Sequence, residues 1–399
     1  MKIVAAGPVI PLSRAADAML ARLARATASA AIAALDGGTL LGERAILIGA
    51  SIPGRISAGG ACRLIAARDD FVALNLARPS DRELMPALFE DAALDPDDDA
   101  AIAHRVGNRE AAALVARGRT MGLPIATMRE CRPARPQSHS LLCPGLAFVG
   151  TRRGRPRVLD LSALWAGPLA AHLLWLAGAE VIKVESTQRP DAMRDGQPAF
   201  HALLNQGKQS VALDLRDVAD RQALLALIMD ADIVIEAARP RALAQLGIDA
   251  AAIVAATPGL VWLTITAHGT TGEAANWVGF GDDVGVAAGL SAELYDATGG
   301  VGFVGDAIAD PLTGIRAAEV GWQMWRGGSG GRFGIAMRDV AAICAAYERE
   351  RDPLAWRRTL VYWTAGEGGC FPHHRPRSSV PAATLGSGPG RWTAIAARC

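Results

Sequence analysis

Between residues 150 and 345, short apolar runs alternate with amphipathic helical segments, and this alternation constrains the fold more than any other feature. Strand–helix–strand units need right-handed crossover connections, which place the strands parallel in one sheet. The pattern therefore predicts an α/β fold. Ligands of such sheets bind beyond the carboxyl ends of the strands, so residues after each run are the first candidates for a site. The runs are Val158–Leu161, Val181–Val184, Ser210–Leu213, Ile233–Ile235 and Leu260–Ile265.

Residues 1–145 have a different pattern, which predicts a smaller α+β domain. An Ala-rich helical segment, 15–35, precedes two strand-like runs, 61–67 and 70–76, which Arg68 and Asp69 would join as a turn. Two further helical segments follow, near 81–89 and 98–121. The Pro-, Arg- and Ser-rich residues 132–138 then predict a linker to the second domain, at 150–345.

The last segment, residues 351–399, changes character. Its residues 370–379 show neither a helical nor a strand period, and the remainder is rich in Gly, Pro, Arg and Ser. This composition predicts an irregular, disordered tail. A reading frame that differs here from that of related proteins is the alternative explanation.

Charge and hydropathy exclude several classes of function. The formal net charge of the 399 residues is +1, which gives no long-range attraction to nucleic acid or to an anionic membrane. No apolar stretch reaches membrane-spanning length, and the first residues do not resemble a signal peptide. We therefore expect a soluble cytoplasmic protein. The six cysteines form no C-x-x-C pair, so neither a metal site nor a redox site is predicted.

Nucleotide-binding motifs are also missing. The sequence has no G-x-x-x-x-G-K-[ST], and no G-x-G-x-x-G stands between a strand and a helix. The Gly-rich run at 327–331 follows a helical segment, so it predicts a flexible loop leading to a strand. Neither ATP nor a nicotinamide is expected as a cofactor.

Five sequence blocks follow one another along the larger segment: Gly178–Glu185, Asn205–Leu215, Ala231–Glu236, Gly279–Asp283 and Gly305–Gly314. In this order and at these separations they resemble the family III CoA-transferases, which include formyl-CoA and carnitine CoA-transferases and the α-methylacyl-CoA racemases. The resemblance covers about residues 155–345 and implies a Rossmann-like parallel sheet with helices on both faces. Gly59–Leu64 with Asp70–Leu74 resembles the family's small second domain, which here precedes the larger one. Family members are homodimers of interlinked chains, so a homodimer is expected.

The resemblance implies that Asp310 is a nucleophile. In the transferases, the matching Asp attacks an acyl-CoA, forms a mixed anhydride and then an aspartyl-CoA thioester, and passes CoA to a carboxylate acceptor. The implied substrates are a CoA thioester and a carboxylic acid, with no tightly bound cofactor. Pro311 would hold Asp310 extended at the edge of the following helix. A plain helix cap is the alternative role for Asp310, and Asp306 is the rival nucleophile.

The resemblance also implies a set of CoA contacts. Arginine and lysine side chains in this set would grip the CoA phosphates, although a solvated surface charge is the alternative for each of them. Thr187 and Gln245 stand where relatives often carry a basic residue, which argues against tight CoA binding. The residues carried over are Trp165, Ala166, Arg189, Lys208, Leu213, Asp214, Arg216 and Arg239.

Two other functions stay open. The racemases use a His at the position that matches Gly281, and a glycine cannot take a proton from the substrate. Asp282, Asp283, His268 and His201 are the remaining candidates for such a base, each with a structural role as the alternative. The second possibility is a protein that binds CoA without catalysis.

Overall fold

Two β-sheets organise the chain. The computed structural model describes residues 9–130, 135–150, 154–238 and 240–372. The small sheet is antiparallel, in the order β1-β2-β3, and its strands are β1 (Cys62–Ala66), β2 (Phe71–Asn75) and β3 (Ile125–Thr127). The large sheet has the order β4-β10-β9-β8-β5-β6-β7. Its strands are β4 (Ser140–Pro144), β5 (Arg157–Asp160), β6 (Glu180–Ser186), β7 (Gln209–Leu213), β8 (Ile233–Glu236), β9 (Val261–Thr266) and β10 (Gly331–Ala336).

The topology of the large sheet confirms the predicted α/β class. Strands β5 to β10 are all parallel, and β4 joins β10 as an antiparallel edge strand. Numbered along the chain, the six parallel strands have the order 3-2-1-4-5-6 of a Rossmann-like sheet. The strand order reverses between β5 and β8. A crevice opens beyond the carboxyl ends of the strands at such a reversal, so the fold itself marks the place for a ligand.

Helices cover both faces of this sheet because most of its strands are apolar on both sides. One face packs against α8, α16 and α17, and the other packs against α11 and α13. The helices of this part of the chain are α8 (Ala166–Leu176), α9 (Met193–Gly196), α10 (Pro198–Asn205), α11 (Val218–Asp230), α12 (Pro240–Gln245), α13 (Ala250–Ala256), α14 (Gly281–Ala287), α15 (Leu290–Thr298), α16 (Ala309–Arg326), α17 (Met337–Arg351) and α18 (Pro353–Ala365), with a short 3₁₀ helix at Glu273–Asn276.

The first part of the chain divides between the two sheets. Four helices, α4 (Pro79–Glu83), α5 (Met85–Phe89), α6 (Asp99–Gly107) and α7 (Ala111–Met121), accompany the small sheet, and α5, α6 and α7 share a core with it. The three helices that precede it, α1 (Ser13–Thr27), α2 (Ala30–Ala33) and α3 (Gly37–Leu47), pack instead on the large unit, where α1 contacts α16 and α17. We therefore revise the proposed small domain from residues 1–145 to about residues 62–128.

The prediction of an irregular segment from residue 351 is wrong over α18. Asp352 accepts a hydrogen bond from the Ala355 N–H at 2.9 Å, and Pro353 stands at the first helical position, where it needs no donor. Trp356, Leu360 and Trp363 are buried, so the helix is anchored in the core. The remainder of the predicted tail, 373–399, lies outside the described residues. No described helix combines the length and apolar character needed to cross a membrane.

Candidate active site

A cleft of about 470 Å³ lies beyond the carboxyl ends of the central strands. The segments that follow β5, β6, β8 and β9 all contribute to its wall, which places it at the reversal of strand order. Most of the lining is apolar or backbone. Its charged groups, among the described residues, are Asp310, Arg78 and Arg189.

Asp310 lies in the first turn of α16, at the second helical residue. The expectation of an extended Asp310 is wrong, because the helix begins one residue earlier, at Ala309, and accommodates Pro311 where no intrahelical donor is needed. Asp310 does not cap its own helix either, since Ile308 is the cap residue. Its Oδ2 instead accepts a hydrogen bond of 3.0 Å from the N–H of Gly281, the first residue of α14.

The starts of α14 and α16 hold each other in place. While Gly281 donates to Asp310, the N–H of Ala307 donates to Oδ1 of Asp282 at 2.9 Å. A Cβ at position 281 would overlap the Ala307 carbonyl and Oδ2 of Asp310. Glycine is therefore required for this close approach, and a proton-transferring side chain at position 281 has no room.

Asp310 belongs to an acid cluster, by which we mean Asp282, Asp283, Asp306 and Asp310 with Arg44. Arg44, on α3, donates from Nε to Oδ2 of Asp306 at 2.9 Å and makes a second contact with Oδ1. Asp306 has no exposed surface. Because Asp306 is enclosed and ion-paired, a substrate cannot reach it, which favours Asp310 over this rival nucleophile.

Burial sets the ionisation of the acid cluster. It raises the pKa of Asp310 to about 7, against the lowering effect of Arg44, and the neighbouring Asp282 adds to the rise. Burial also raises the pKa of Asp282 to about 6, again opposed by Arg44. The pKa of Asp283 rises to about 7 for the same reason, although Phe280 and Asn75 donate hydrogen bonds to its carboxylate. One arginine thus faces several carboxyl groups, and part of the cluster is protonated near neutral pH.

The predicted phosphate contact of Lys208 conflicts with its surroundings. Its side chain is 1% exposed, and its ammonium group donates to Asp160 Oδ2, the Pro168 carbonyl and Asn205 Oδ1 at 2.8–2.9 Å. All three N–H donors are used. Burial lowers the pKa of Lys208 to about 8, although Asp160 opposes the change. Lys208 is therefore a structural residue.

Lys208 belongs to a lysine cluster, defined as Asp160, Lys183, Asp191 and Lys208. Lys183 Nζ donates to the Ser162 carbonyl at 2.9 Å and lies 3.2 Å from Asp191 Oδ2. Burial would raise the pKa of Asp160, but Lys208 and Lys183 outweigh it and hold that pKa below its usual value. The cluster fixes the turn from β5 into α8 on one side of the cleft.

The other predicted CoA contacts that the structure describes divide into three groups. Ala166 and Arg189 line the cleft, and the exposed Arg189 side chain forms no hydrogen bond or ion pair with another described residue. Trp165 and Leu213 are buried, with the Trp165 ring in edge contact with Phe200. Asp214 and Arg216 pair with each other outside the cleft lining, and Arg239 lies outside the described residues.

Neither histidine is placed as a base for the cleft. His268 has no exposed surface, and burial together with Arg119 lowers its pKa well below the usual value. His201 is buried in α10, and burial lowers its pKa too. Among the described residues no histidine lines the cleft beside Asp310, which fits the missing side chain at Gly281.

Sequence reasoning missed Arg44 and Arg78. Arg44 meets Asp306 across 262 positions of the chain, and Arg78 reaches the cleft from the small unit. Arg44 lies within α3 and Arg78 directly precedes α4, and neither stretch carries a motif that would mark these residues.

Residues 156–346 match the sequence model of CoA-transferase family III. Among curated proteins, the chain is similar to a succinate–glutarate CoA-transferase from Agrobacterium fabrum, with 29% identity over 57% of this chain and 60% of the relative. It is also similar to a succinyl-CoA–D-citramalate CoA-transferase from Chloroflexus aurantiacus, with 31% identity over 60% of each protein. The chain thus spans about three fifths of the length of these relatives.

Among solved structures, a crystal structure of a hypothetical protein from Mycobacterium tuberculosis aligns with a TM-score of 0.45. The identity is 29%, and the alignment covers 53% of this chain and 61% of that chain.

Proposed function

We propose that this chain, whose residues 156–346 belong to CoA-transferase family III, moves CoA between carboxylic acids through a covalent intermediate on Asp310. The observation that carries the proposal is the position of one carboxylate. Among the described residues, Asp310 is the single acid that lines the cleft, while Asp283 and Asp306 are enclosed. The relatives named above act as CoA-transferases on carboxylic acids, which supports the reaction class.

The reaction begins with attack by the Asp310 carboxylate on the thioester carbonyl of an acyl-CoA. A C–O bond forms, the C–S bond breaks, and CoA leaves as the thiolate. Asp310 and the acyl group are then joined in a mixed anhydride. The thiolate then attacks the Asp310 carbonyl of the anhydride, which gives an aspartyl-CoA thioester and frees the first carboxylate. A second carboxylate then attacks the aspartyl-CoA thioester and releases the CoA thiolate, which leaves a new mixed anhydride. The thiolate attacks the acyl carbonyl of this anhydride, which gives the new acyl-CoA and restores Asp310.

The surroundings of Asp310 suit these steps. The Gly281 N–H holds one oxygen at 3.0 Å, while the other accepts no hydrogen bond from a described residue and is available for attack. The start of α16 supplies a partial positive charge, which stabilises the carboxylate before attack and oxygen charge during it. The apolar lining limits water, which would otherwise hydrolyse the anhydride. Arg189, at the β6 side of the cleft, is the proposed contact for the CoA phosphates, and a homodimer remains part of the proposal.

The test compares wild-type protein with Asp310→Asn in a screen of acyl-CoA donors and carboxylate acceptors by mass spectrometry. The asparagine still accepts the Gly281 N–H, so the fold should persist, but it lacks the anionic nucleophile. We expect CoA exchange by the wild type, a loss on the order of a thousandfold or more in the variant, and unchanged CoA binding. Asp195→Asn, at an exposed position, is the control and should keep full activity.

Other outcomes would support the alternatives. CoA binding without exchange, for every donor tried, would indicate a binding protein. Deuterium incorporation at the α-carbon of a 2-methylacyl-CoA would indicate a racemase-type reaction, against the lack of space at Gly281.

A further inference from the structure

Two arginines of the small unit each face an aromatic ring of the aromatic segment, by which we mean residues 277–280 of the large unit. This segment lines the cleft and directly precedes Gly281. The Arg119 guanidinium carbon lies 4.3 Å from the centre of the Trp277 ring, and the Arg78 guanidinium carbon lies 5.7 Å from the centre of the Phe280 ring. Both distances fall within the ~6 Å at which a cation is attracted to the face of an aromatic ring.

Each guanidinium group is fixed by partners other than the ring. Arg119 donates from Nε to the Ile125 carbonyl at 3.2 Å and from Nη2 to Oε2 of Glu130 at 2.7 Å, and its side chain is only 7% exposed. Arg78 donates from Nε to both carboxylate oxygens of the buried Asp81 at 2.9–3.0 Å. Because these pairings fix both guanidinium groups, the two rings rest against rigid partners, and the aromatic segment is held in one position.

A third contact of the small unit lies just beyond the aromatic segment. Asn75, on β2, donates from Nδ2 to Oδ1 of Asp283 at 3.0 Å, and the same oxygen accepts the N–H of Phe280 at 3.0 Å. Between these two residues lies Gly281, whose N–H donates to the Asp310 carboxylate at 3.0 Å. The small unit therefore holds the chain on both sides of the residue that binds the proposed nucleophile.

The position of the aromatic segment matters because a hydrogen bond weakens steeply when its donor moves away or turns. The Gly281 N–H lowers the pKa of Asp310, against the larger opposite effect of burial. A shift of this N–H by about 1 Å would break the contact and raise the pKa of Asp310 further. The charged groups that face Asp310 are Arg44 on α3, Asp282 on α14 and Asp306 before α16, and the variants proposed below change none of them.

We propose that Arg119 and Arg78 are positioning residues of the transferase site, which hold the aromatic segment so that the Gly281 N–H stays against the Asp310 carboxylate. The inference rests on the proposed transferase function. Arg78 also lines the cleft, whereas Arg119 does not, so Arg119 acts on the reaction through the ring of Trp277 rather than by touching the substrate. The sharper test is therefore made at Arg119.

The test measures kcat, KM and the pH profile of CoA exchange in Arg119→Met, with the best donor and acceptor found for the wild type. We expect kcat to fall roughly three- to tenfold, the range of one cation–π contact, while KM for the acyl-CoA stays within about twofold. The pH at which kcat/KM rises should move upward from near 7, because Asp310 loses a hydrogen bond to its charged form. Arg119→Lys keeps a cation for both the ring and Glu130, so it should restore most of kcat.

Trp277→Leu removes the same contact from the other side and leaves the charge of the protein unchanged. It should lower kcat and move the pH profile as Arg119→Met does. The double variant should lose little more than either single variant, because both changes remove one interaction. Losses of kcat that simply multiply in the double variant, or a pH profile that moves in Arg119→Met alone, would show that Arg119 does not act through Trp277.

Arg117→Met is the matched control. Arg117 lies on α7 like Arg119 and pairs with Glu90 at 2.8 Å, but it is exposed and does not line the cleft, so kcat and the pH profile should stay as in the wild type. A folded Arg119→Met with wild-type kcat and an unmoved pH profile would overturn the positioning role and leave the transferase function standing. A folded wild type that exchanges CoA with no donor and acceptor tried would count against both.

Discussion

The molecule contains two clusters of buried charge, and they differ in balance. The lysine cluster pairs two carboxylates with two ammonium groups, and its members use their hydrogen-bonding capacity within the fold. The acid cluster holds four carboxyl groups and one arginine, and the charge of Arg44 acts on three of them, Asp282, Asp306 and Asp310. The two lie on different sides of one cleft and were built from the same few residue types.

The difference shows in the pKa values. In the lysine cluster the pKa of Asp160 stays below its usual value, so the carboxylate is ionised and fixed. In the acid cluster the pKa values of Asp283 and Asp310 rise to about 7, because burial outweighs the hydrogen bonds to Asp283 and the charge of Arg44 beside Asp310. A balanced cluster stabilises a loop, whereas an unbalanced one supplies a carboxylate of raised basicity. Of these two acids, Asp310 lines the cleft and Asp283 does not, which is why we propose Asp310 as the reacting carboxylate.

The largest effect on stability is expected from Lys208→Met. The change leaves Asp160 buried without its main partner, which should lower the free energy of unfolding by about 3–5 kcal/mol. Arg216→Met is the control, since Arg216 pairs with Asp214 at an exposed site, where the loss should stay below about 1 kcal/mol. Urea unfolding followed by circular dichroism measures both. Equal losses in the two variants would mean that Lys208 is not the structural residue described here.

Asp283 should make stability depend on pH. Its folded-state pKa of about 7 exceeds that of an unfolded Asp, so the folded protein holds an extra proton between about pH 4 and 7. The resulting stabilisation is complete at low pH and is lost as the pH rises through 7.

The measurement compares the wild type with Asp283→Asn, which still accepts the hydrogen bonds from Phe280 and Asn75. Between pH 5 and 7 the wild type should lose about 2–3 kcal/mol of unfolding free energy relative to the variant, at about 1.4 kcal/mol per pH unit. Parallel curves for the two proteins would show that Asp283 is already ionised in this range.

The smallest of the expected effects is that of replacing Arg44, which should change the pH profile of activity. Its charge lowers the pKa of Asp310. In Arg44→Gln the pH at which kcat/KM rises should therefore move from near 7 to about one unit higher, which corresponds to about 1.4 kcal/mol in the ionisation free energy of Asp310. Arg44→Lys keeps the charge and should keep the midpoint. A shift to lower pH in Arg44→Gln, or no shift in a folded variant, would contradict the assignment of Arg44 to the acid cluster.

Much of the fold could be predicted from the sequence. The apolar runs from Val158 to Ile265 became β5–β9 within two residues at each end, because buried parallel strands are apolar on both faces. The three-residue strand β3 is too short to leave a pattern. The edge strand β4 is only partly buried and follows the predicted linker, so its role depends on pairing with β10. Helix α18 was not predicted because the residues after it have no helical period and its own apolar positions, Trp356, Leu360 and Trp363, form only a short stripe.

The candidate site was less predictable. The block around Asp310 is local, so its sequence carries the resemblance. Arg44 and Arg78 come from distant parts of the chain, and the burial of Lys208 depends on Asp160 and Asn205 rather than on its own neighbours. A single sequence shows that a cation is present, but only the packing decides whether it faces a ligand or a carboxylate of the protein.

The most direct test of the central claim is to trap the covalent intermediate. Wild-type protein is incubated with an acyl-CoA that supports exchange, treated with hydroxylamine, digested and analysed by peptide mass spectrometry. We expect a hydroxamate on the peptide that contains Asp310, and within it on Asp310 rather than on the enclosed Asp306. The same label on Asp306, or exchange at the full rate with no labelled carboxylate, would contradict it.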